Sequence, residues 1–435
     1  MTIKKKRSGS GSKTKSKSKY DSYSVPVLQE EFNRIKKLLM KNSYLKILLI
    51  DASKINRIEF EYGKQIYREV LDALCYVITS MRENQLRKED IITVNHHEGD
   101  QYYIFLSRSR MEKKFQSNDL ENVAERIMSY INKHMFGTVY SLIKKRPTIN
   151  VGYAITVYNP LVQEERLIDK LIEDAKIMAH YKEFKASMRN KEKLQELIIK
   201  EEIKTIYQPI VNLINKKIIG YEALTRGPKN TEYENPYVLF NIAEETGLLF
   251  ELDRICRRQA FINAKGIAKG AKLFVNILPS TIHDPVFRGK YLKDFLSDLK
   301  INPHNIVLEV SERQVIENFE VFKKASQYYS DIGFAIAIDD TGTGYSNLQS
   351  LIKLKLQYIK VDISLIRNVN RNSLKQKLVK ALSQLAETMK ADVIAEGIET
   401  KEEMDVLIDL GVLYGQGFLF ARPAPPFPGI AIIKD

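Results

Sequence analysis

The chain has 435 residues, 44% apolar and 28% charged, the ordinary composition of a soluble globular protein long enough for two or three domains. No apolar run approaches the ~20 residues of a membrane span and no secretory signal is visible, which argues for a cytoplasmic protein. The two cysteines, Cys75 and Cys256, lie far apart and outside any metal-type spacing, so free thiols are expected. Half of the net charge of +14 comes from the first 26 residues, where eight Lys/Arg face one acid, Asp21. The Gly/Ser/Lys alternation there cannot bury a core, so residues 1–26 read as a disordered tail. Without aromatics or an amphipathic face, a plain solvated tail is favoured over one that touches anionic lipid or nucleic acid, and no DNA partner is expected.

Beyond the tail, Leu28, Phe32, Ile35, Leu38 and Leu39 fall at helical spacing. A strand over Leu45–Ile50 ends in Asp51, and a long amphipathic helix covers about Gly63–Arg82. Ile91–Val94 and Tyr102–Leu106 flank a polar turn and form a hairpin. A helix through 119–135, a strand over Ile149–Thr156 and a helix near 164–183 complete a β-α-β-β-α-β order, that of a compact α+β domain with an antiparallel sheet. A charged segment, 186–203, reads as a linker helix, or equally as the first helix of the second domain.

From residue 204 the texture changes. Eight short apolar runs alternate with amphipathic helices: 206–211, 218–224, 272–277, 306–312, 334–340, 358–363, 392–399 and 414–420. That is the pattern of a (β/α)₈ TIM-type barrel. The first two runs are separated only by Asn212–Lys217, too short for a helix, so the first strand should run antiparallel to the second. Asn235-Pro236 opens a helix, and Thr400 with Glu403 forms a capping box closed by Gly411.

The ends of these strands carry the chemistry. Strand two ends with Glu222, strand three with Asn276, strand four with Glu309 and Glu312, and strand five with Asp339 and Asp340. Strand six carries Lys360 and Asp362, and strand seven Glu396 and Glu399. In a barrel these ends converge on one face, where active sites sit. Oxygen ligands without His or Cys select hard Mg²⁺ or Mn²⁺. Taken singly, Glu222 could be a surface residue, Asn276 a helix cap and Lys360 a partner to an outer acid; Asp362 and Glu312 read as loop holders.

Two resemblances sharpen this. In the first half, Glu98-Gly99-Asp100-Gln101-Tyr102 on the hairpin turn, with LLIDASKINRIEFEYG (48–63), resembles the GGDEF domain of diguanylate cyclases. Asp51 and Asp100 match its metal carboxylates. Glu59 and Arg68 stand where Asn and Asp recognise guanine, Gln101 replaces Glu, and Thr93–His96 lacks the inhibitory RxxD site. The resemblance implies a nucleotidyl-cyclase-like domain that makes no cyclic di-GMP, with a structural or regulatory role and no firm basis for GTP binding.

In the second half, Glu222-Ala223-Leu224 followed by Thr225-Arg226 resembles the EAL signature of cyclic di-GMP phosphodiesterases. YQPI (207–210), FVNI (274–277), LEVSE (308–312), DDTGTGYS (339–346), KVD (360–362), EGIE (396–399) and QGFLF (416–420) come in family order, from Glu201 to Pro423. The resemblance implies hydrolysis of cyclic di-GMP to linear pGpG with two Mg²⁺ or Mn²⁺ ions; a non-catalytic cyclic di-GMP receptor is the alternative. By position, Glu222, Asn276, Glu309, Asp339, Asp340 and Glu396 match metal ligands. Lys360 matches the lysine that orients or activates the attacking water, Glu399 a supporting carboxylate, and Glu312 the residue that steadies the loop after strand five. Gln208, Arg226 and Gln416 match substrate contacts. Thr341 replaces the usual Phe in a loop that couples the family's metal site to a homodimer formed through the barrel. The expected organisation is a tail (1–26), a GGDEF-like domain (27–185), a linker helix (186–203) and an EAL barrel (204–435).

Overall fold

The computed structural model describes residues 25–97, 99–107, 118–143, 148–342 and 354–430. Residues 1–24 of the basic tail, Glu98 of the hairpin turn and Thr343–Ser346 of the glycine-rich loop lie outside the described residues. The chain divides into two units, Met1–Ser187 and Met188–Asp435. No helix among the described residues is long and apolar enough to cross a membrane.

In the first unit, α1 (Leu28–Asn42), β1 (Tyr44–Asp51), α2 (Asn56–Tyr62), α3 (Lys64–Asn84), β2 (Ile91–Val94), β3 (Gln101–Leu106), α4 (Asn118–Ile143) and β4 (Asn150–Val157) precede α5 (Glu164–Ile199). The sheet order is β2-β3-β1-β4, with every neighbouring pair antiparallel. β1 is buried from Leu45 to Asp51 because both its faces are covered. Successive side chains of a strand point to opposite sides. Leu45, Ile47 and Leu49 therefore pack with Ile35 and Leu39 of α1 and Leu167, Ile168 and Leu171 of α5. Leu48 and Ile50 pack with Val70, Leu74 and Ile78 of α3 and Ile127 and Ile131 of α4.

The segment read as a linker is the continuation of α5, one helix of 36 residues. Its Leu194 and Leu197 join Ile203, Tyr233, Leu239, Ile242 and Leu252 in a core cluster of the second unit.

The second unit contains β5 (Lys204–Asn212), β6 (Ile218–Arg226), α6 (Pro236–Thr246), α7 (Leu249–Asn263), β7 (Lys272–Asn276), α8 (Gly289–Asp298), β8 (Ile306–Ser311), α9 (Glu312–Glu317), α10 (Phe319–Ile332), β9 (Ala335–Thr341), β10 (Tyr358–Val361), α11 (Ile363–Ile366), α12 (Ser373–Met389), β11 (Asp392–Ala395), α13 (Lys401–Asp409) and β12 (Tyr414–Gly415). Eight strands close in the order β10-β11-β12-β5-β6-β7-β8-β9. β5 is antiparallel to both neighbours and the other pairs are parallel. The Asn235 side chain accepts from the Tyr237 amide at 2.9 Å and the Thr400–Glu403 box is formed. β11 and β12 stop furthest short of their apolar runs. β11 ends at Ala395 and β12 spans two residues, so Glu396, Glu399 and residues 416–420 lie beyond the ladder.

Candidate active site

The barrel has two apolar layers. The outward residues of each strand meet the helices, while Ile210, Phe274, Val307, Ala337 and Ile394 fill the inside, with Tyr358 packed against them. Because strand side chains repeat every second residue, the next inward position lies two residues on. Those positions are Asn276 after Phe274, Glu309 after Val307, Asp339 after Ala337, Lys360 after Tyr358 and Glu396 after Ile394. β5 runs the other way, so its inward residue at that level precedes Ile210 by two: Gln208, in register with Glu222 of β6. The polar ring is thus the layer above the apolar plug, at the C-terminal ends of the parallel strands.

Lys360 is fully buried at the centre of this ring. Its Nζ stands 2.7 Å from Glu396 Oε1, 3.2 Å from Glu309 Oε1 and from Asp339 Oδ2, and 3.3 Å from Glu222 Oε2. Asn276 Nδ2 donates to Glu222 Oε1 at 3.2 Å, and Gln416 Nε2 donates to Glu222 Oε2 and to Gln208 Oε1, both at 2.8 Å. Gln208 Nε2 donates to the Ala421 carbonyl at 3.1 Å. Asn276 therefore faces its neighbour's carboxylate and caps no helix.

One cation does not satisfy this many acids. Burial works against the Lys360 charge, yet Asp339, Glu222, Glu309 and Glu396 outweigh it and hold the ammonium well above the usual lysine range. Burial, aided by Glu222, Asp339 and Glu396, pushes Glu309 well above the carboxylate range despite Lys360. Glu396 is raised in the same way, by burial first and then Asp339 and Glu222. Glu222 alone moves down: Lys360, Gln416 and Asn276 overcome the burial that opposes them. Glu309 Oε1 meets the Lys360 ammonium, and its Oε2 receives no hydrogen bond from the described residues. Glu222, Glu309 and Asp339 offer oxygens within 4.8 Å of one another, as do Asp339, Asp340 and Glu396. A buried orphan oxygen, an all-oxygen donor set and a shortage of positive charge fit divalent cations of the Mg²⁺ or Mn²⁺ kind.

Two cavities open around the ring. One of about 320 Å³ is lined by Gln208, Glu222, Asp339, Glu396, Glu399 and Gln416, among others. The second, about 630 Å³, has Arg226, Asn276, Asp253 and Cys256 in its wall. Arg226 donates to the Thr225 carbonyl at 2.7 Å and lies within electrostatic reach of Glu222.

The remaining predicted residues are spread further. Asp340 follows Asp339 in a left-handed backbone conformation, φ 58°, and its amide donates to Asp339 Oδ1 at 2.8 Å. Glu312 is buried at the start of α9 and accepts from the Gly342 amide at 3.3 Å. Glu399 pairs with Arg367 at the cavity rim. Asp362 caps α11 by accepting from the Ser364 amide at 2.8 Å. Thr341 is fully buried, and its hydroxyl has no hydrogen-bond partner among the described residues. Sequence reasoning missed Arg257 and Asp253 of α7, whose long-range partners no local spacing reveals, and the second task of Glu403. Besides its capping box, Glu403 accepts from the Asn368 amide at 2.7 Å and the Glu399 amide at 3.0 Å.

In the first unit, Asp51 and Gln101 face each other in register, with Gln101 Nε2 3.4 Å from Asp51 Oδ1. Asp100 accepts from Asn56 Nδ2 at 3.3 Å and Asn95 Nδ2 at 3.4 Å, and His180 Nε2 lies 3.7 Å from Asp51 Oδ2. Glu59 and Arg68 are exposed. Among the described residues, groups of three or more side chains able to hold a metal ion occur only in the barrel.

The EAL domain family model matches residues 191–423 of this chain. Cyclic di-GMP phosphodiesterase PdeA of Borreliella burgdorferi is 27% identical over 419 residues, covering 90% of this chain and 59% of that protein. The probable cyclic di-GMP phosphodiesterase PdeG of Escherichia coli is 31% identical over 288 residues, 63% of this chain and 57% of its own length. The chain thus spans just under three-fifths of each of these two relatives. Among solved structures, the PaMucR phosphodiesterase in its c-di-GMP complex is 27% identical with a TM-score of 0.50, covering 55% of this chain and 98% of that one. The EAL enzyme Bd1971 in its cAMP- and cyclic-di-GMP-bound form is 27% identical with a TM-score of 0.51, covering 64% and 79%.

Proposed function

The chain belongs to the EAL domain family, and on that premise we propose that it hydrolyses cyclic di-GMP to linear pGpG with the help of Mg²⁺ or Mn²⁺. The observation that carries this is the convergence of Glu222, Glu309, Asp339 and Glu396 on buried Lys360 at the mouth of the barrel. Relatives named as cyclic di-GMP phosphodiesterases support the substrate. Glu222, Asn276, Glu309, Asp339, Asp340 and Glu396 would hold the ions. When bound, such ions neutralise a phosphodiester and make a water nucleophilic at neutral pH. Lys360 stays protonated among its carboxylates, so it orients and stabilises negative charge and does not serve as a free base. Gln208 and Gln416, tied to each other beside Glu222, present amides at the mouth. Arg226 supplies a positive charge in the wall of the larger cavity, suited to a phosphate or the edge of a base.

The test is direct. Purified chain incubated with cyclic di-GMP and Mn²⁺ is expected to release pGpG, and chelation or Glu222→Gln is expected to stop it. Binding of cyclic di-GMP without any pGpG would replace the hydrolase with a receptor.

For the first unit we propose a GGDEF-like domain without cyclase activity that tunes the barrel. Exposed Glu59 and Arg68, and the amides of Asn56, Asn95 and Gln101 turned on the Asp51 and Asp100 carboxylates, support that reading. Cyclic di-GMP formed from GTP would overturn the first part, and unchanged turnover after removal of residues 1–185 the second.

A further inference from the structure

Arg257 of α7 is the largest wholly buried side chain among the described residues. Its Nε donates to Asp253 Oδ2 at 2.8 Å and its Nη2 to Asp284 Oδ2 at 3.0 Å. The guanidinium also lies over the Phe287 ring, 4.7 Å from its centre. Arg254 approaches Asp284 Oδ2 from the more exposed side at 3.7 Å. Both acids have further partners. Asp253 accepts from Thr281 Oγ1 at 3.3 Å and from the Leu278 amide. Asp284 Oδ1 accepts from the Val286 amide at 3.0 Å. All these partners sit on the segment that leaves β7 immediately after Asn276. Asn276 in turn donates to Glu222 at 3.2 Å, and Asp253 and Asn276 share the wall of the larger cavity.

We propose that Arg257 is a positioning residue for the site: by clamping Asp253 and Asp284 it fixes residues 277–284, and through them the set of Asn276 against Glu222. The proposal rests on reading the acidic ring as a divalent-metal site. Stability alone gives the triad no purpose, because a buried ion pair replaced by apolar residues is often neutral or stabilising. What apolar side chains cannot supply is directional bonding to the Leu278 amide and the Thr281 hydroxyl, which sets where the backbone leaves the strand. Groups that orient metal ligands from behind change metal affinity when removed, commonly by about 10- to 100-fold. Arg257 acts through two intermediates, so the lower end of that range applies.

The experiment is Mn²⁺ titration calorimetry on the full chain, with turnover of cyclic di-GMP and thermal unfolding measured alongside. Arg257→Met is expected to weaken Mn²⁺ binding about tenfold, with Arg257→Lys between it and the wild type. A merely structural role lowers the unfolding temperature and leaves the Mn²⁺ affinity of the folded protein unchanged, and that result overturns the proposal. Thr281→Val removes one bond to Asp253 without stranding a charge, and it decides the matter if Arg257→Met does not fold. A weakened Mn²⁺ affinity in Thr281→Val supports positioning, and an unchanged one overturns it. A wild type that binds Mn²⁺ but releases no pGpG overturns the hydrolase reading and leaves this one standing. A wild type that binds no Mn²⁺ overturns both.

Discussion

Lys360 has four carboxylates within 3.3 Å of its ammonium and no exposure to solvent. Removing one partner of a buried charge set usually costs about 3–5 kcal/mol, because the others are left uncompensated. Lys360→Met keeps most of the volume and deletes the charge. Turnover is expected to fall by roughly 10²–10³-fold, the usual loss for a preorganised electrostatic group. The metal-free variant should also melt lower than the metal-free wild type, and Mn²⁺ should raise its melting temperature by more. Thermal scans with and without Mn²⁺ check this; wild-type turnover in the variant would remove Lys360 from the chemistry. The convergence of these residues was legible because each sits at or near the end of an apolar run and is expensive to bury. Arg257 was not legible. In the sequence it is one basic residue among three in Arg254–Arg258, and only Asp284, 27 positions away, reveals its task.

At the scale of the element, alternation within each strand decides which side chain joins the ring, and the turn after the strand decides where a later one goes. The sequence pattern located all eight barrel strands and the reversed first one, since apolar runs and short turns are local signals. It extended β11 through Glu399 because Ile398 is as apolar as Ile394. The ladder stops at Ala395, and Gly397 takes φ 70° directly after Glu396. A side chain there would sit in a conformation that costs roughly 1–2 kcal/mol for an L-residue. Its Cβ would also stand 2.3 Å from Ile363 Cγ1. Gly397→Ala is therefore expected to lose about that much stability in urea unfolding, and to weaken Mn²⁺ binding because Glu396 precedes the distorted turn. Wild-type stability in the variant would show that the turn is not strained by a side chain. The same limit explains α5: its charged middle has no continuous apolar stripe, so the pattern broke one helix into two.

At the scale of the molecule, each unit has its own core. The clusters around β1 draw on residues below 180, and those of the barrel on residues from Leu194 onward. Units with separate cores open separately, so a ligand held by one should protect that one and leave the other unchanged. The groups of three carboxylates suited to a divalent ion lie only in the barrel among the described residues. The acids of the first unit, Asp51 and Asp100, instead have amide partners. An ion present at one hundred times its dissociation constant stabilises the state that binds it by about 2.7 kcal/mol. Hydrogen exchange on the intact chain should therefore slow in β8, β9 and β10 when Mn²⁺ is added, by up to about 100-fold where exchange requires the barrel to open. β1 and β3 should exchange at the same rate with and without the ion. Equal protection of β1 would mean either that the first unit holds Mn²⁺ through Asp51 and Asp100, or that the two cores open as one. Repeating the measurement with Asp100→Asn separates these, because only a bound ion in the first unit would lose its effect there.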